Sequence, residues 1–547
     1  MEIINRLKDY SAGHGIRFTL QRSAEKASQI VFGTYDRHRR KDFPDGEELV
    51  RQRENQPAAG LISVIVPVYN TDPRMLRELL DSLTAQTYAE WEAVLYDGGS
   101  TREETREILA GAEKKDARFR VIRSEENLGI SGNTDRAATF AKGNYFALCD
   151  HDDLLSPEAL WRTAEVIAGE SPDLIYSDED LMTENGTRHM DPHYKPDYCP
   201  ENLFGDNYIC HLAVLKKDLW EKVGGLRPGY DGSQDHDLFL RCAGETDRIT
   251  HIPRTLYSWR KVRKSASHTN LCRCLDASCR AAEDQAERMG RKLTAIPVNR
   301  EIRLWWDVPT EASVELLIFG GDEASCRMAY ADFSDTTPWR KLSATFVVTD
   351  AENLYGALNE AAAASEADYL LILSAGVRVM NRHFLRELLM YACMPGVAGV
   401  TPVMTDARNR ITHGGFAVGF PGFARCVYEG THVTAGGWYQ VMNKVHNVSA
   451  VSVCCRLVRR ETFLPFDPSF ASGLGAVEQC LRQRDAGGRF VYTPYARAWC
   501  EDRDWLLCGK DRDEADLKRI RDLRGNELND PCYGTRFSRK NADYRLK

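Results

Sequence analysis

Short apolar runs alternate with stretches of helical period through the first half of the chain. The first, Leu61-Ile62-Ser63-Val64-Ile65-Val66-Pro67-Val68-Tyr69-Asn70, reads as a buried strand with a proline near its end. Met75, Leu76, Leu79, Leu80 and Leu83 follow at helical spacing and give one apolar face. Next come a strand over 91–96, the turn Asp97-Gly98-Gly99-Ser100-Thr101, a polar helix and a strand over 119–123. A helix near 133–141 leads to the apolar run Tyr145-Phe146-Ala147-Leu148-Cys149. Strands alternating with helices predict an α/β fold with a parallel sheet covered on its faces. Residues 1–60 are polar and partly helical in pattern, ending in the loop Gln56-Pro57-Ala58-Ala59-Gly60.

The second half reads as a worn copy of the first. Glu126-Asn127-Leu128 and Asn133 have counterparts in Glu352-Asn353-Leu354 and Asn359, and Tyr145-Phe146-Ala147-Leu148 in Tyr369-Leu370-Leu371-Ile372. Leu240-Arg241 and Pro253 match Leu481-Arg482 and Pro494 at equal spacing. The acids are not copied: Ser374-Ala375-Gly376-Val377 stands where the first half has Asp150-His151-Asp152-Asp153, and Ala476 faces Asp235. The expected division is a helical extension over 1–60, a first domain over 61–270, a helical linker over 271–294, a degenerate second domain over 295–505 and a tail over 506–547.

A length of 547 residues suits two or three such domains, and a net charge of −8 gives no reason to expect nucleic-acid binding. No run is long and apolar enough for a membrane-spanning helix or a signal peptide, which predicts a cytoplasmic protein. The 16 cysteines are scattered. Cys272, Cys274 and Cys279 lack the spacing of a zinc site and read as reduced thiols.

The chemistry gathers at the turn Asp150-His151-Asp152-Asp153. Carboxylates at the carboxyl end of a buried strand repel one another unless a cation or hydrogen-bond donors sit among them. Such strand ends are where open α/β sheets bind ligands. Oxygen ligands suit Mg²⁺ or Mn²⁺, the usual partner of a diphosphate. The alternative is a solvated loop in which Asp153 caps a helix beginning near Ser156-Pro157. Tyr69 and Asp97 end the first two strands, an aromatic face beside a carboxylate that suits a base. Gly232-Ser233-Gln234-Asp235-His236-Asp237 opens another helix and offers a carboxylate free to act as general base, against a reading as helix-start acids.

These motifs, with Tyr176-Ser177-Asp178-Glu179-Asp180, Tyr194-Lys195-Pro196-Asp197, His251-Ile252-Pro253 and the Asp530-Pro531-Cys532-Tyr533 tail, resemble the glycosyltransferase family 2 enzymes. The likeness is to tandem-domain bacterial members that build surface polysaccharides of the O-antigen or rhamnan type. It implies a GT-A fold followed by a second, degenerate GT-A-like domain. The implied reaction is inverting, metal-dependent transfer from a nucleotide-diphosphate sugar to a glycan acceptor, often lipid-linked at the cytoplasmic face of the membrane. By position, Asp235 would be the catalytic base with Gln234 beside it. Pro67, Tyr69, Asp97, Asp150, Lys195, Trp259 and Arg260 would bind the donor. Asp152 would hold Mn²⁺ or Mg²⁺, with His268 or His251 as candidate substitutes for a histidine that similar proteins carry where this chain has Ser258.

Gly98, where the common pattern has a second aspartate, is another departure. Together Ser258 and Gly98 motivate an alternative, a non-catalytic nucleotide-sugar or carbohydrate-binding protein. A metal-dependent nucleotidyltransferase or sugar-nucleotide hydrolase is a further alternative, although no basic glycine-rich loop follows the first strand. No GxGxxG follows any candidate strand, which disfavours dinucleotide oxidoreduction. Asp178-Glu179-Asp180 reads either as lying by the acceptor or as a solvated strand end, Lys195 as a phosphate partner or a surface residue, and Trp305 and Trp306 as core in preference to a sugar platform.

Overall fold

In the computed structural model, which describes residues 34–262, 270–298, 301–500, 514–526 and 528–547, the first apolar run forms β1 (Ile62–Val68), buried along its whole length. A strand buried on both faces sits inside a sheet. With β2 (Trp91–Gly98), β3 (Phe119–Ser124) and β4 (Tyr145–Leu148) it makes a parallel group in which β1 has β2 on one side and β4 on the other. The last β1–β4 pair is Ile65 with Leu148, so Pro67 removes no ladder bond on the β4 edge. The helix Pro73–Thr84 starts where the Asp72 carboxylate accepts the N–H groups of Arg74 and Met75, and it buries Met75, Leu76, Leu79, Leu80 and Leu83.

The sheet continues through β5 (Leu154–Leu155), β6 (Leu174–Thr183), β7 (His189–His193), β8 (Ala213–Lys216) and β9 (Ile249–Lys261) in the order β3-β2-β1-β4-β8-β6-β9-β5, with β7 against β6. The chain divides into two compact units, one holding the described residues up to Leu304 and the other running from Trp305 to Lys547. A two-stranded ribbon, β10 (Leu293–Val298) with β11 (Glu301–Trp306), lies at this division. The helix Leu271–Arg288 belongs to the first unit and packs on the helix Gln234–Ala243.

The second unit contains β12 (Val314–Phe319), β13 (Leu342–Val347), β14 (Tyr369–Ser374), β15 (Val377–Val379), β16 (Val397–Thr405), β17 (Ile411–His413), β18 (Phe416–Phe420), β19 (Phe423–Cys426), β20 (His446–Val448), β21 (Cys455–Arg459) and β22 (Arg489–Cys500). Its main sheet runs β13-β12-β14-β21-β16-β22-β15, with β17 on β16 and β20 on β22. From β2 onward the first sheet has the same neighbours with the same directions. The β1–β4 and β12–β14 pairs are parallel, β4–β8 and β14–β21 antiparallel, β6–β9 and β16–β22 parallel, and β5–β9 and β15–β22 antiparallel. The second sheet lacks a partner for β3 and adds β20 on β22. The repeat read from sequence is therefore a repeat of two α/β units, the second without the strand and helix that form the β3 edge of the first.

Asp530 fastens the tail within the second unit: it is buried and accepts from the N–H groups of Val418, Cys532 and Tyr533. Trp306 is buried core, and Trp305 packs edge-on against His383.

Candidate active site

Leu148 at the end of β4 pairs with Ala213 at the start of β8, so the residues after one and before the other meet at the same sheet edge. Asp150 and His211 are those residues, with His211 Nε2 3.8 Å from Asp150 Oδ2. The ligand atoms of Asp150, Asp153 and His211 all lie within 4.8 Å of one another. Burial and the charges of Asp152 and Asp150 push the Asp153 carboxyl well up. Burial also raises Asp152, with His151 opposing and Asp150 adding to the shift. A positive charge at the centre of such an acid cluster would favour its ionised form. Its oxygen and imidazole donors fit a divalent ion such as Mn²⁺.

Asp153 does not cap a helix. It is fully buried, accepting from Tyr257 Oη at 2.7 Å and from the Arg260 N–H at 2.7 Å. Tyr257 Oη also accepts from the Asp150 N–H at 3.1 Å. Alternation along β9 sorts the next residues onto two faces. Tyr257 stacks on His211 and Trp259 meets it edge-on, so both stand on the acid side. Ser258 and Arg260 emerge on the other. Ser258 Oγ lies 3.3 Å from Arg39 Nη2 and from His189 Nδ1, in a group completed by the buried Asp180. Arg260 is buried and gives its guanidinium to the Asp152 carbonyl, the Glu184 carbonyl and Glu78. It anchors the acid turn from behind and presents no cation to a donor.

Lys195 is likewise neither a surface residue nor open to a phosphate. It is buried, and its ammonium donates to Glu179 Oε2 at 3.3 Å and to the carbonyls of Ile209 and His211 at 2.6 Å each. Glu179 in turn accepts from the His211 N–H at 3.0 Å and faces His193 Nδ1 at 3.2 Å. Burial works against the Glu179 charge, but Lys195 and His193 outweigh it and hold the carboxyl at about 2. Asp178, Glu179 and Asp180 are all buried within β6, so the solvated strand end is excluded. Asp178 accepts from His251 Nε2 at 3.0 Å, and His251 Nδ1 reaches Asp197 at 3.0 Å. His251 is a structural bridge, away from the acid turn's own contacts.

Asp235 opens the helix Gln234–Ala243 and is partly accessible, with Asn207 Nδ2 donating to its Oδ2 at 2.7 Å. Gln234 turns back to accept the Gly232 N–H at 2.7 Å. Asp237 is buried between Arg227 and Arg241 and serves the fold. The loop from Asn207 to His211 thus touches the base candidate at one end and the acid turn at the other. Burial, then the charges of Glu179 and Asp235, push the Cys210 thiol well up within this loop.

On the nucleotide side, Val68 pairs with Asp97, so Tyr69 and Gly98 leave the sheet side by side. Tyr69 is exposed, while Asp97 is buried and accepts the Ser100 N–H at 2.9 Å. Asn70 binds the two strand ends together, its Oδ1 accepting from the N–H groups of Thr101 and Arg102. A Cβ at Gly98 would stand 2.4 Å from Asn133 Nδ2, so Asn133 fills the place of a side chain there. His268 lies outside the described residues.

Sequence reading missed His211, Asn207 and Tyr257. None belongs to a motif, and the available signal was only that Asn207 and His211 interrupt the approach to the apolar run of β8.

Residues 63–206 match the model of glycosyl transferase family 2. The chain is 32% identical over 555 residues to the uncharacterized protein y4gI of Sinorhizobium fredii, covering 91% of this chain and 60% of that one. It is 29% identical over 488 residues to the O-antigen biosynthesis protein RfbC of Myxococcus xanthus, covering 82% and 38%. The uncharacterized glycosyltransferase EpsJ of Bacillus subtilis is 35% identical over 216 residues, 37% of this chain and 61% of that one. The chain spans less than two thirds of the length of each of these relatives.

Proposed function

We propose that the first unit, whose residues 63–206 match the glycosyl transferase family 2 model, transfers a sugar, with inversion, from a nucleotide-diphosphate donor to a glycan acceptor of a cell-surface polysaccharide. The carrying observation is the acid cluster of Asp150, Asp153 and His211 at the carboxyl edge of the sheet, linked by one short loop to Asp235. Tyr69 and Asp97 receive the base, Tyr69 by stacking and Asp97 through a hydrogen bond. Asp150, Asp153 and His211, with Asp152 beside them, would hold a divalent ion, while Arg260 keeps the turn in shape. When bound, that ion offsets the charge that gathers on the leaving diphosphate.

Asp235 takes the proton of the acceptor hydroxyl as that oxygen bonds to the anomeric carbon and the diphosphate leaves from the opposite face. The second unit lacks both the acid turn and the base, and serves acceptor binding or assembly. The relative named for O-antigen biosynthesis supports a polysaccharide product. A lipid-linked acceptor would bring the protein to a membrane surface peripherally, since no helix among the described residues is long and apolar enough to cross one. The two departures that motivated a binding-only protein weaken in this arrangement, because Ser258 faces away from the acids and Asn133 replaces the side chain at Gly98.

Calorimetric titration with UDP, dTDP and GDP, with and without Mn²⁺, tests the donor site. One nucleotide should bind in a Mn²⁺-dependent way, and Asp152→Ala and His211→Ala should each weaken it at least tenfold. Absence of binding by all three to the wild-type protein would sink the proposal.

A further inference from the structure

Asn207 makes one side-chain hydrogen bond among the described residues, and it goes to the base candidate: Nδ2 to Asp235 Oδ2 at 2.7 Å. Its Oδ1 is buried without a partner. Exchanging the two ends of the amide would set oxygen against carboxylate oxygen, so the orientation is fixed by Asp235 itself. An amide that leaves one acceptor unsatisfied does not serve the fold as an aliphatic side chain would, since an orphaned polar atom costs stability. The segment that carries it is held with unusual firmness for a loop. Two of the three Lys195 donors grip the Ile209 and His211 carbonyls, Glu179 takes the His211 N–H, and Cys210 Sγ donates to the Asn207 carbonyl at 2.9 Å.

Resting on the transferase reading above, we propose that Asn207 is a positioning residue for Asp235. The clamped loop sets the amide, and the amide fixes the rotamer in which the Asp235 carboxylate meets the acceptor hydroxyl. The other oxygen, Oδ1, accepts the His236 N–H at 3.0 Å within the same helix start, so the carboxylate is held from both sides. A base held in one rotamer meets its proton at a set angle, and a displacement near 1 Å costs up to about 10²-fold in rate.

The test compares Asn207→Ala and the isosteric Asn207→Asp with wild type, using the full chain, and reads nucleotide released from UDP-N-acetylglucosamine, UDP-glucose, dTDP-rhamnose and GDP-mannose with Mn²⁺. Asn207→Ala should lower kcat by roughly 10- to 10²-fold at unchanged donor KM. Asn207→Asp should move the acid limb of the pH–rate profile to higher pH, because a second carboxylate makes ionisation of the first harder. In an Asp235→Asn background, Asn207→Ala should add nothing. Wild-type kcat and pH profile in both variants would overturn the positioning role while leaving the transferase reading intact. If wild type turns over none of the four donors, the transferase reading falls, and crystal structures still decide Asn207. A displaced Asp235 carboxylate in Asn207→Ala supports positioning, and an unmoved one overturns it.

Discussion

Lys195 and Glu179 are two charges removed from water together, and their value depends on both being present. Losing one partner of a buried pair leaves the other uncompensated, which costs about 3–5 kcal/mol. Lys195→Met should therefore lower the denaturant-unfolding free energy of the protein by that amount, and it should also free the His211 carbonyl and loosen the acid cluster. The pair gives the fold a pH signature. Glu179 is held at about 2 against an ordinary 4.5, so its contribution is complete above pH 4.5 and is lost as pH falls toward 2. His251 has the opposite sign. Burial opposes its charge, but Asp178 and Asp197 raise it above 6.5, so its contribution is complete below that pH and is lost as pH rises through the raised value. Unfolding measured from pH 2 to 5 should show the acid-side loss in wild type and a shallower slope in Lys195→Met.

At the scale of elements, the site is a property of strand ends. The register of β1 with β2 and of β4 with β8 decides that Tyr69 lies beside Gly98 and that Asp150 meets His211. The strands, the acid turn and the helix that begins at Gln234 were legible in the sequence, because buried strands are apolar runs and the acids interrupt them. The partners of those acids were not, because a hydrogen bond between residues 107 positions apart, such as Tyr257 with Asp150, leaves no local pattern. Nor was the direction of Ser258 and Arg260, since alternation gives two faces without saying which one meets the acids. The resemblance placed Lys195 and Arg260 as donor contacts, whereas the Lys195 ammonium and the Arg260 guanidinium satisfy carbonyls and carboxylates within the fold. Gly98 offers a check at this scale. Gly98→Asp drives a Cβ into Asn133, which otherwise accepts the Leu128 N–H at 3.1 Å and donates to Asn127 at 2.9 Å. It should destabilise by about 1–3 kcal/mol, and Asn133→Ala in the same chain should recover much of that loss in thermal unfolding.

For the whole molecule, the repeat visible as spaced residue matches is a repeat of strand order and direction, with the acid turn kept in one unit. Apolar positions survive in the second unit because its core still has to be packed, whereas Ser374 and Ala476 stand where acids would have to be balanced. On the proposed function all turnover belongs to the first unit, with Asp235 as the base. General-base help is worth roughly 10²–10⁴ in rate. The most direct measurement is single-turnover transfer by Asp235→Asn alongside calorimetric titration of the same nucleotide. Asp235→Asn should keep wild-type nucleotide affinity and lose at least about 10²-fold in transfer, whereas a variant that binds and turns over as wild type would contradict the role of Asp235 as base.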